Sequence, residues 1–252
     1  MEPVRQPDDE YLLDNPIWHS LTSNHRSLAI GGAAAKRYPP DVADFAGFPD
    51  EARPDWAALA KLMSVGESVF VPNVPLPEAS GFVSQFASDT AFQQYVYRGT
   101  SIDSPTDYDI HELNEADVPD MMRLVDITRP GPFLAGTIQL GRYIGIRAEG
   151  RPIAMAGERL HPGRYCEISG VCTDPAFAKR GYATQLVNYL IAQMLERGER
   201  PFLHVASDNA QAIRLYQKLG FVWRRSLPVQ IVQFVGVEAA MAKERADGET
   251  AP

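Results

Sequence analysis

The second half of the sequence alternates between segments of β type and amphipathic helices. Residues 165–173 are rich in β-branched and aromatic side chains, and residues 202–206 form a short apolar run. Between them lies the strongest helical pattern of the chain, with apolar residues at three- and four-residue steps before Gly198: Ala183, Leu186, Val187, Leu190, Ile191, Met194 and Leu195. Such alternation is typical of an α/β layer architecture, so we expect a sheet flanked by helices.

Further elements extend this pattern from residue 109 to residue 235. In chain order they are a strand (110–113), a helix (115–128), an antiparallel hairpin (143–147 and 153–160), a second helix (209–219) and two strands within 221–235. Pro228 is expected to separate those last two strands. Residues beyond about 240 are polar or small, and we expect them to be frayed.

The first 105 residues contain many turn-forming residues, which predicts short elements there. Asn15 and Asp55 are expected to cap two short helices, the second over residues 56–63. Short strands are predicted at 67–71 and 92–97. The polar stretch 101–108 is the best linker candidate. We therefore expect a smaller N-terminal α/β domain, residues 1–105, and a larger domain, residues 106–252.

Composition is that of an ordinary globular protein, with 45% hydrophobic and 22% charged residues among 252. The longest apolar runs fall short of the ~20 residues that a membrane helix needs, and the first ten residues do not resemble a secretory signal. We therefore expect a cytoplasmic protein with no membrane partner. Cys166 and Cys172 lie too far apart in one strand to be bridged, and the five histidines are scattered, so no disulfide and no metal are expected.

Charge is distributed unevenly along the chain. Residues 1–150 hold 11 Lys+Arg against 22 Asp+Glu, a net charge of −11, whereas residues 151–252 hold 13 against 10, a net charge of +3. An acidic body argues against a nucleic-acid partner, which would need a basic face. The acidic half is either a solvated surface or one that attracts a cationic partner.

The segment from Val171 to Thr184 carries the clearest chemical signal, because it connects a predicted strand to the start of the long helix. Such a turn presents free backbone N–H groups at the positive end of the helix dipole, which favours an anion. Gly181 and Ala183 would let a pyrophosphate approach the backbone, and Lys179 and Arg180 add positive charge. On these residues alone the segment is either a di- or polyphosphate site or a plain tight connection, and it matches neither the P-loop nor the dinucleotide fingerprint.

Two separated motifs carry a family resemblance. The first joins Val171-Cys172-Thr173-Asp174-Pro175 to Lys179-Arg180-Gly181-Tyr182-Ala183, and the second is Asn209…Ala212…Leu215-Tyr216…Leu219-Gly220-Phe221. In order and spacing, residues 109–235 resemble the acetyl-coenzyme A core of the GNAT superfamily of N-acetyltransferases. The resemblance implies an acyl-CoA N-acyltransferase fold with a mixed, mostly antiparallel central sheet flanked by helices. The first 105 residues, with Asn15-Pro16-Ile17-Trp18 near their start, are similar to the degenerate GNAT-like half found in some bacterial members.

The same resemblance implies which residues contact acetyl-CoA. The backbone of Val171, Cys172 and Thr173 should pair with the pantetheine arm like another strand, and one of its N–H groups should polarise the thioester carbonyl. Asn209 would lie beside the pantetheine. The pyrophosphate would be held by the loop and first helical turn: Lys179, Arg180, Gly181, Tyr182, Ala183 and Thr184. The family's loop begins with Arg or Gln, and Ala178 at that position removes one side-chain anchor that Lys179 or Arg180 could replace.

Acetyl transfer requires proton transfers that two residues could perform. A lysine-like amine, with a pKa of ~10.4, attacks a thioester only after losing a proton. Glu167, fourteen residues before Gly181, matches the family's strand-borne base, with Glu158 as the reserve candidate. Glu167 could equally be a strand residue that pairs with Arg159 or Arg164. Tyr216 matches the tyrosine that protonates the leaving thiolate, although a helix tyrosine can also be simple core.

Two classes of function remain. The first is an acetyl-CoA-dependent N-acetyltransferase, in which a small-molecule or peptide amine, cationic if the acidic half selects it, attacks the thioester directly. The second is a non-catalytic acyl-CoA-binding module that regulates or binds a partner. Glu167 together with Tyr216 favours the enzyme, and Ala178 favours the module. An aminoacyl transferase that uses charged tRNA is disfavoured by the acidic first half.

Overall fold

The computed structural model describes residues 9–72, 74–77, 80–102 and 108–240. This part of the chain contains the helices α1 (Pro16–Thr22), α2 (Trp56–Ala60), α3 (Val118–Thr128), α4 (Tyr182–Glu196) and α5 (Ala210–Lys218). Its strands are β1 (Ile30–Gly31), β2 (Lys36–Arg37), β3 (Ala46–Gly47), β4 (Ser68–Pro72), β5 (Phe82–Tyr97), β6 (Ile110–Leu113), β7 (Tyr143–Ala148), β8 (Arg151–Glu158), β9 (Tyr165–Thr173), β10 (Arg200–Ala206) and β11 (Phe221–Phe234). Most of the predicted linker and all of the predicted frayed terminus lie outside the described residues.

Eight of the strands form one sheet, in the order β4-β11-β5-β10-β9-β8-β7-β6, and β1 to β3 form a small separate sheet. Neighbouring strands of the large sheet are antiparallel except β9 and β10, which are parallel. The predicted mixed, mostly antiparallel sheet is confirmed. Strand β5 lies between β10 and β11, so segments before and after residue 105 share this sheet, and the division into two domains at that residue stays a prediction.

The large sheet is covered on both faces. On one face, α4 and α5 pack against alternate strand residues such as Ile168 and Val205. On the other face, the N-terminal segment with α1 packs against Tyr165 and Phe202, and α3 packs against Met155 and its neighbours. Because side chains of a strand alternate between faces, Glu167 of β9 points toward the N-terminal segment, away from α4.

Local patterns account well for the helix starts and for the central hairpin. The side chain of Asn15 accepts a hydrogen bond from the Trp18 N–H at 3.3 Å, and Asp55 accepts one from the Ala58 N–H at 2.8 Å, as helix caps do. Strands β7 and β8 form the predicted antiparallel hairpin. Among the described residues, no helix combines the length and apolar character needed to cross a membrane.

Two strand predictions were wrong. Elements before residue 105 are not all short, since β5 has 16 residues. Strands β11 and β10, which are distant in sequence, pair with the two edges of β5 and stabilise it over this length. The region 221–235 holds one strand rather than two: β11 passes through Pro228 with a register shift between Leu227 and Val229. A β-bulge lets a strand accommodate the missing N–H of proline without ending.

Candidate active site

Strands β9 and β10 are hydrogen-bonded neighbours over only three residue pairs, of which Phe202 with Glu167 is the last. Both strands continue, β9 to Thr173 and β10 to Ala206, without further pairing to each other. On its opposite edge β9 stays paired with β8, up to Ala154 with Thr173. Beyond Glu167 the two parallel strands therefore separate, which leaves one edge of β9 open to an extended ligand such as a pantetheine arm.

A β-bulge lies in β9 within this open region. Gly170 has a φ of +63°, and the register with β8 shifts around it, between the pairs of Ser169 and Cys172. A Cβ at position 170 would lie 3.3 Å from the Tyr143 ring. The bulge shifts the alternation of side chains between the two faces of β9. Ile168 and Val171, three residues apart, both pack on the α4 side, and Cys172 is buried on the α3 side. Bulges often re-aim side chains beside active sites.

The loop between β9 and α4 has the features of an anion site. Gly181 is the N-cap residue of α4, with a φ of +82°, and no side chain caps this helix. A Cβ on Gly181 would meet no protein atom within 4 Å, so the space beside it is open. Lys179 has a φ of +63°, which is unusual for a residue with a side chain. Lys179, Arg180 and Ala178 are all exposed. Uncapped N–H groups with two nearby cations suit a pyrophosphate.

The first turn of α4 contacts both the core and this loop. Tyr182 is buried, and its ring packs edge-on against Tyr108 with centroids 4.8 Å apart. Tyr108 also donates a hydrogen bond to the Arg180 carbonyl oxygen at 2.7 Å. Ala183 and Thr184 are half-buried. The Tyr182 side chain therefore anchors the helix in the core rather than facing the predicted phosphate position.

Helix α5 begins just after β10, at the end where β10 has separated from β9. Asn209 caps it by accepting a hydrogen bond from the Ala212 N–H at 3.0 Å, and the residue is otherwise exposed. Tyr216 lies in the apolar cluster that includes Ile168 of β9 and Val205 of β10, with its ring 5.9 Å from that of Phe221. Burial raises the pKa of Tyr216 to about 12. The phenol therefore keeps its proton at neutral pH.

Glu167 is fully buried at the point where the strands separate. Arg159 donates to both of its oxygens, from Nε at 2.9 Å and from Nη2 at 2.6 Å. The Leu160 N–H donates to Oε2 at 3.2 Å, and Nδ1 of His204 lies 2.7 Å from Oε1. Burial opposes ionisation, but Arg159 and then His204 lower the pKa of Glu167 well below its usual value.

The hydrogen bonds around His204 fix the orientation of its ring. The Gln94 amide nitrogen donates to the Leu13 carbonyl oxygen at 2.9 Å, and the Gln94 amide oxygen accepts from Arg224 at 2.9 Å. This orientation places the amide nitrogen, a donor, 3.0 Å from Nε2 of His204. In this orientation Nε2 accepts the Gln94 hydrogen bond, and Nδ1 donates to Glu167.

Neither glutamate predicted from the sequence is well placed to take a proton from an amine. Both oxygens of Glu167 are occupied, and a carboxylate with a lowered pKa is a weak base. Its contacts are those of a buried ion pair with Arg159, the alternative that the sequence also allowed. Glu158 accepts a hydrogen bond from Arg197 at 2.7 Å, just past the C-terminal end of α4. The Arg142 N–H donates to its other oxygen at 3.3 Å, so both oxygens of Glu158 are occupied as well.

The two cysteines are buried free thiols. Burial raises the pKa of Cys172 to about 11, which does not suit a nucleophile. Among the described residues, His161, Cys166 and Glu199 could each bring a ligand atom within 4.8 Å of the others. Arg197 donates to Glu199 at 2.6 Å, however, and this guanidinium would repel a metal cation.

A cleft lies on the face of the sheet opposite α4, and most of the residues that line it could not be singled out from the sequence. Its walls come from the N-terminal segment, β4, β5 and β11, and Arg159 and His204 lie among its lining residues. Pro132 also lines it, so the loop after α3 borders this space, and Glu51 contributes a carboxylate. These positions are far apart in sequence and share no motif. The only local signal was that Pro49 and Asp50 place Glu51 in a turn.

Comparisons with known proteins agree with this architecture. The model of the FR47-like protein family matches residues 143–227. The N-alpha-acetyltransferase RimI of Mycobacterium tuberculosis is 34% identical over 83 residues, which are 31% of this chain and 51% of that protein. The chain thus spans about half the length of this curated relative. A GCN5-related N-acetyltransferase from Kribbella flavida shares the fold, with a TM-score of 0.54 at 15% identity over 86% of this chain and 94% of that one.

A solved structure from Novosphingobium aromaticivorans, assigned to the GNAT family as an acetyltransferase, is similar over nearly its whole length. It is 35% identical to this chain, with a TM-score of 0.77, and the alignment covers 88% of this chain and 98% of the other. The resemblance seen in the two sequence motifs is thereby confirmed. The chain belongs to the GNAT family of acetyl-CoA-dependent N-acetyltransferases.

Proposed function

We propose that this protein transfers the acetyl group of acetyl-CoA to a primary amine, which attacks the thioester directly. The observation that carries this proposal is the separation of β9 and β10 beyond Glu167, with the uncapped start of α4 beside it. An extended pantetheine fits the open edge of β9, and the pyrophosphate fits the N–H groups at Gly181. The relative RimI is an N-alpha-acetyltransferase, which supports an amine as the acceptor.

The reaction needs no reactant beyond the two substrates. A bond forms between the amine nitrogen and the carbonyl carbon, and the bond from that carbon to sulfur breaks. The nitrogen releases one proton and the departing thiolate takes one up. Tyr216 is the candidate donor to the sulfur, because burial keeps its hydroxyl protonated. A raised pKa also makes it a weak acid, so its contribution should lie toward the low end of the roughly 10²- to 10⁴-fold that general acids supply.

A non-catalytic acyl-CoA-binding module is the competing function. Ala178, exposed at the first loop position, lacks the side-chain anchor that the family carries there. The cleft on the opposite face favours the enzyme, since binding of the cosubstrate alone would not require it.

The proposed activity predicts amine-dependent release of free thiol from acetyl-CoA. A panel of α-amino amides, polyamines, lysine derivatives and aromatic amines would be incubated with the protein and acetyl-CoA. Thiol release would be followed with a thiol reagent, and the acetylated amine identified by mass spectrometry. Binding of acetyl-CoA without release above background for any amine would instead identify a non-catalytic module.

The loop assignment predicts that Gly181→Glu abolishes the stabilisation by acetyl-CoA. The wild-type protein should gain ~2.7 kcal/mol at a ligand concentration 100 times the dissociation constant, measured as a rise in Tm. Glutamate at 181 adds bulk and negative charge where the pyrophosphate is expected to lie. The matched control is Gly198→Glu at the other end of α4, where the glycine has a φ of +76° and equally open space. An undiminished ligand shift in Gly181→Glu would place the cosubstrate elsewhere.

The role of Tyr216 predicts that Tyr216→Phe lowers kcat by roughly 10- to 1,000-fold while the affinity for acetyl-CoA holds. Phenylalanine keeps the ring packing and removes only the hydroxyl. Tyr189→Phe on α4 serves as the control, because Tyr189 packs against the same apolar cluster without a proposed role in the reaction. Equal kcat values for wild type and Tyr216→Phe would show that Tyr216 only packs in the core and takes no part in the reaction.

A further inference from the structure

The cleft opposite α4 reaches the same point at which β9 and β10 separate. His204 of β10 lines the cleft, and its Nδ1 lies 2.7 Å from Glu167, the last residue of β9 that pairs with β10. Its walls are mostly apolar, with Ile17, Phe70 and Phe92 among them. An apolar cleft with a few polar groups is the usual form of a small-molecule site.

The charged side chains of this cleft are paired, with one exception. Arg159 is bound to Glu167, and Asp14 accepts hydrogen bonds from Arg224 at 2.7 Å and Arg225 at 2.9 Å. Glu51 has a buried oxygen, Oε1, with no hydrogen-bond partner among the described residues. Buried polar atoms are rarely left without a partner. Among the described residues, nothing satisfies this Glu51 oxygen, so a ligand in the cleft can supply its partner.

We propose that this cleft binds the acyl acceptor as an amine carried by an apolar group, and that the Glu51 carboxylate receives that amine. The assignment rests on the proposed acetyl transfer and adds the acceptor class and the residue that binds it. Glu51 holds an incoming ammonium, takes one of its protons to become a neutral carboxyl, and releases the free amine for attack. The apolar walls contact the remainder of the acceptor.

The electrostatic surroundings of Glu51 suit this role. Burial raises its pKa to about 7; Arg225 opposes the rise and Asp14 adds to it. Arg159 and His204 are the other ionisable groups lining the cleft; the first is paired with Glu167, and the second is hydrogen-bonded between Glu167 and Gln94. An amine with a pKa near this value, such as an α-amino group at ~7.7–8.0, exchanges a proton with it readily. The apolar walls favour an acceptor that carries an apolar group beside the amine.

Equilibrium binding of phenethylamine tests this assignment without depending on turnover. By calorimetry at pH 8, Glu51→Gln should bind phenethylamine about 10- to 100-fold more weakly than wild type, because a charge-assisted hydrogen bond is lost. Asp50→Asn is the matched control, since Asp50 is the adjacent residue and pairs with exposed Arg53. Ethanolamine, which has no apolar body, should bind wild type at least 10-fold more weakly than phenethylamine. Melting curves without ligand check that each variant is folded.

The wild-type protein gives a second readout. Phenethylamine stays protonated from pH 8 to pH 6, so its affinity should fall as Glu51 takes up a proton below about pH 7. The assignment is overturned if Glu51→Gln binds phenethylamine as wild type does, or if wild-type affinity does not change with pH. It is also overturned if Asp44→Asn alone reproduces the loss, because Asp44 has a buried unpartnered oxygen too. Binding that follows the expected pattern without acetylation of any amine would refute the enzymatic function and leave the amine site standing.

Discussion

A buried carboxylate joins three strands where the central sheet divides. Glu167 belongs to β9, Arg159 directly follows β8, and His204 belongs to β10. The ion pair with Arg159 is shielded from water, so removing one partner would leave an unpaired buried charge at a cost of about 3–5 kcal/mol. Beyond this contact β9 and β10 have no pairing with each other. We infer that the Glu167 network fixes where the strands separate.

The two candidate sites lie on opposite faces of the sheet and are built from different parts of the sequence. On the α4 side, the loop at Gly181 and the open edge of β9 form the expected acetyl-CoA site, and both lie within the region that matches the FR47-like family. On the opposite side, the first half of the chain supplies most of the cleft, including Glu51 and Phe70. Such an arrangement lets the acceptor site vary without altering how the cosubstrate is held.

Local sequence patterns were sufficient to predict the elements that carry the cosubstrate site. The apolar spacing defined α4, a helix was predicted at residues 209–219, and β9 was placed at residues 165–173, because each of these depends on neighbouring residues. The position of β5 inside the sheet could not be predicted, since it depends on pairing with strands more than 100 residues later.

The same limit applies to the chemistry of the site. Glu167 was singled out by its position before Gly181, but its partner His204 is 37 residues away and shares no pattern with it. The carboxylate of Glu51 stands in a turn, and only the folded chain buries it beside β11. Burial and pairing decide whether a glutamate is a base or a fixed anion, and both are properties of the tertiary structure.

Hydrogen–deuterium exchange with and without coenzyme A tests whether the cosubstrate lies where β9 and β10 separate. If the pantetheine lies along β9 and the pyrophosphate at the start of α4, protection should increase at the amides of residues 168–173 and 179–184. Amides of β4 and β11, which line the cleft on the other face, should be unchanged by coenzyme A alone. Protection confined to β4 and β11, or absent from residues 168–184, would contradict the assignment of the strand separation as the cosubstrate site.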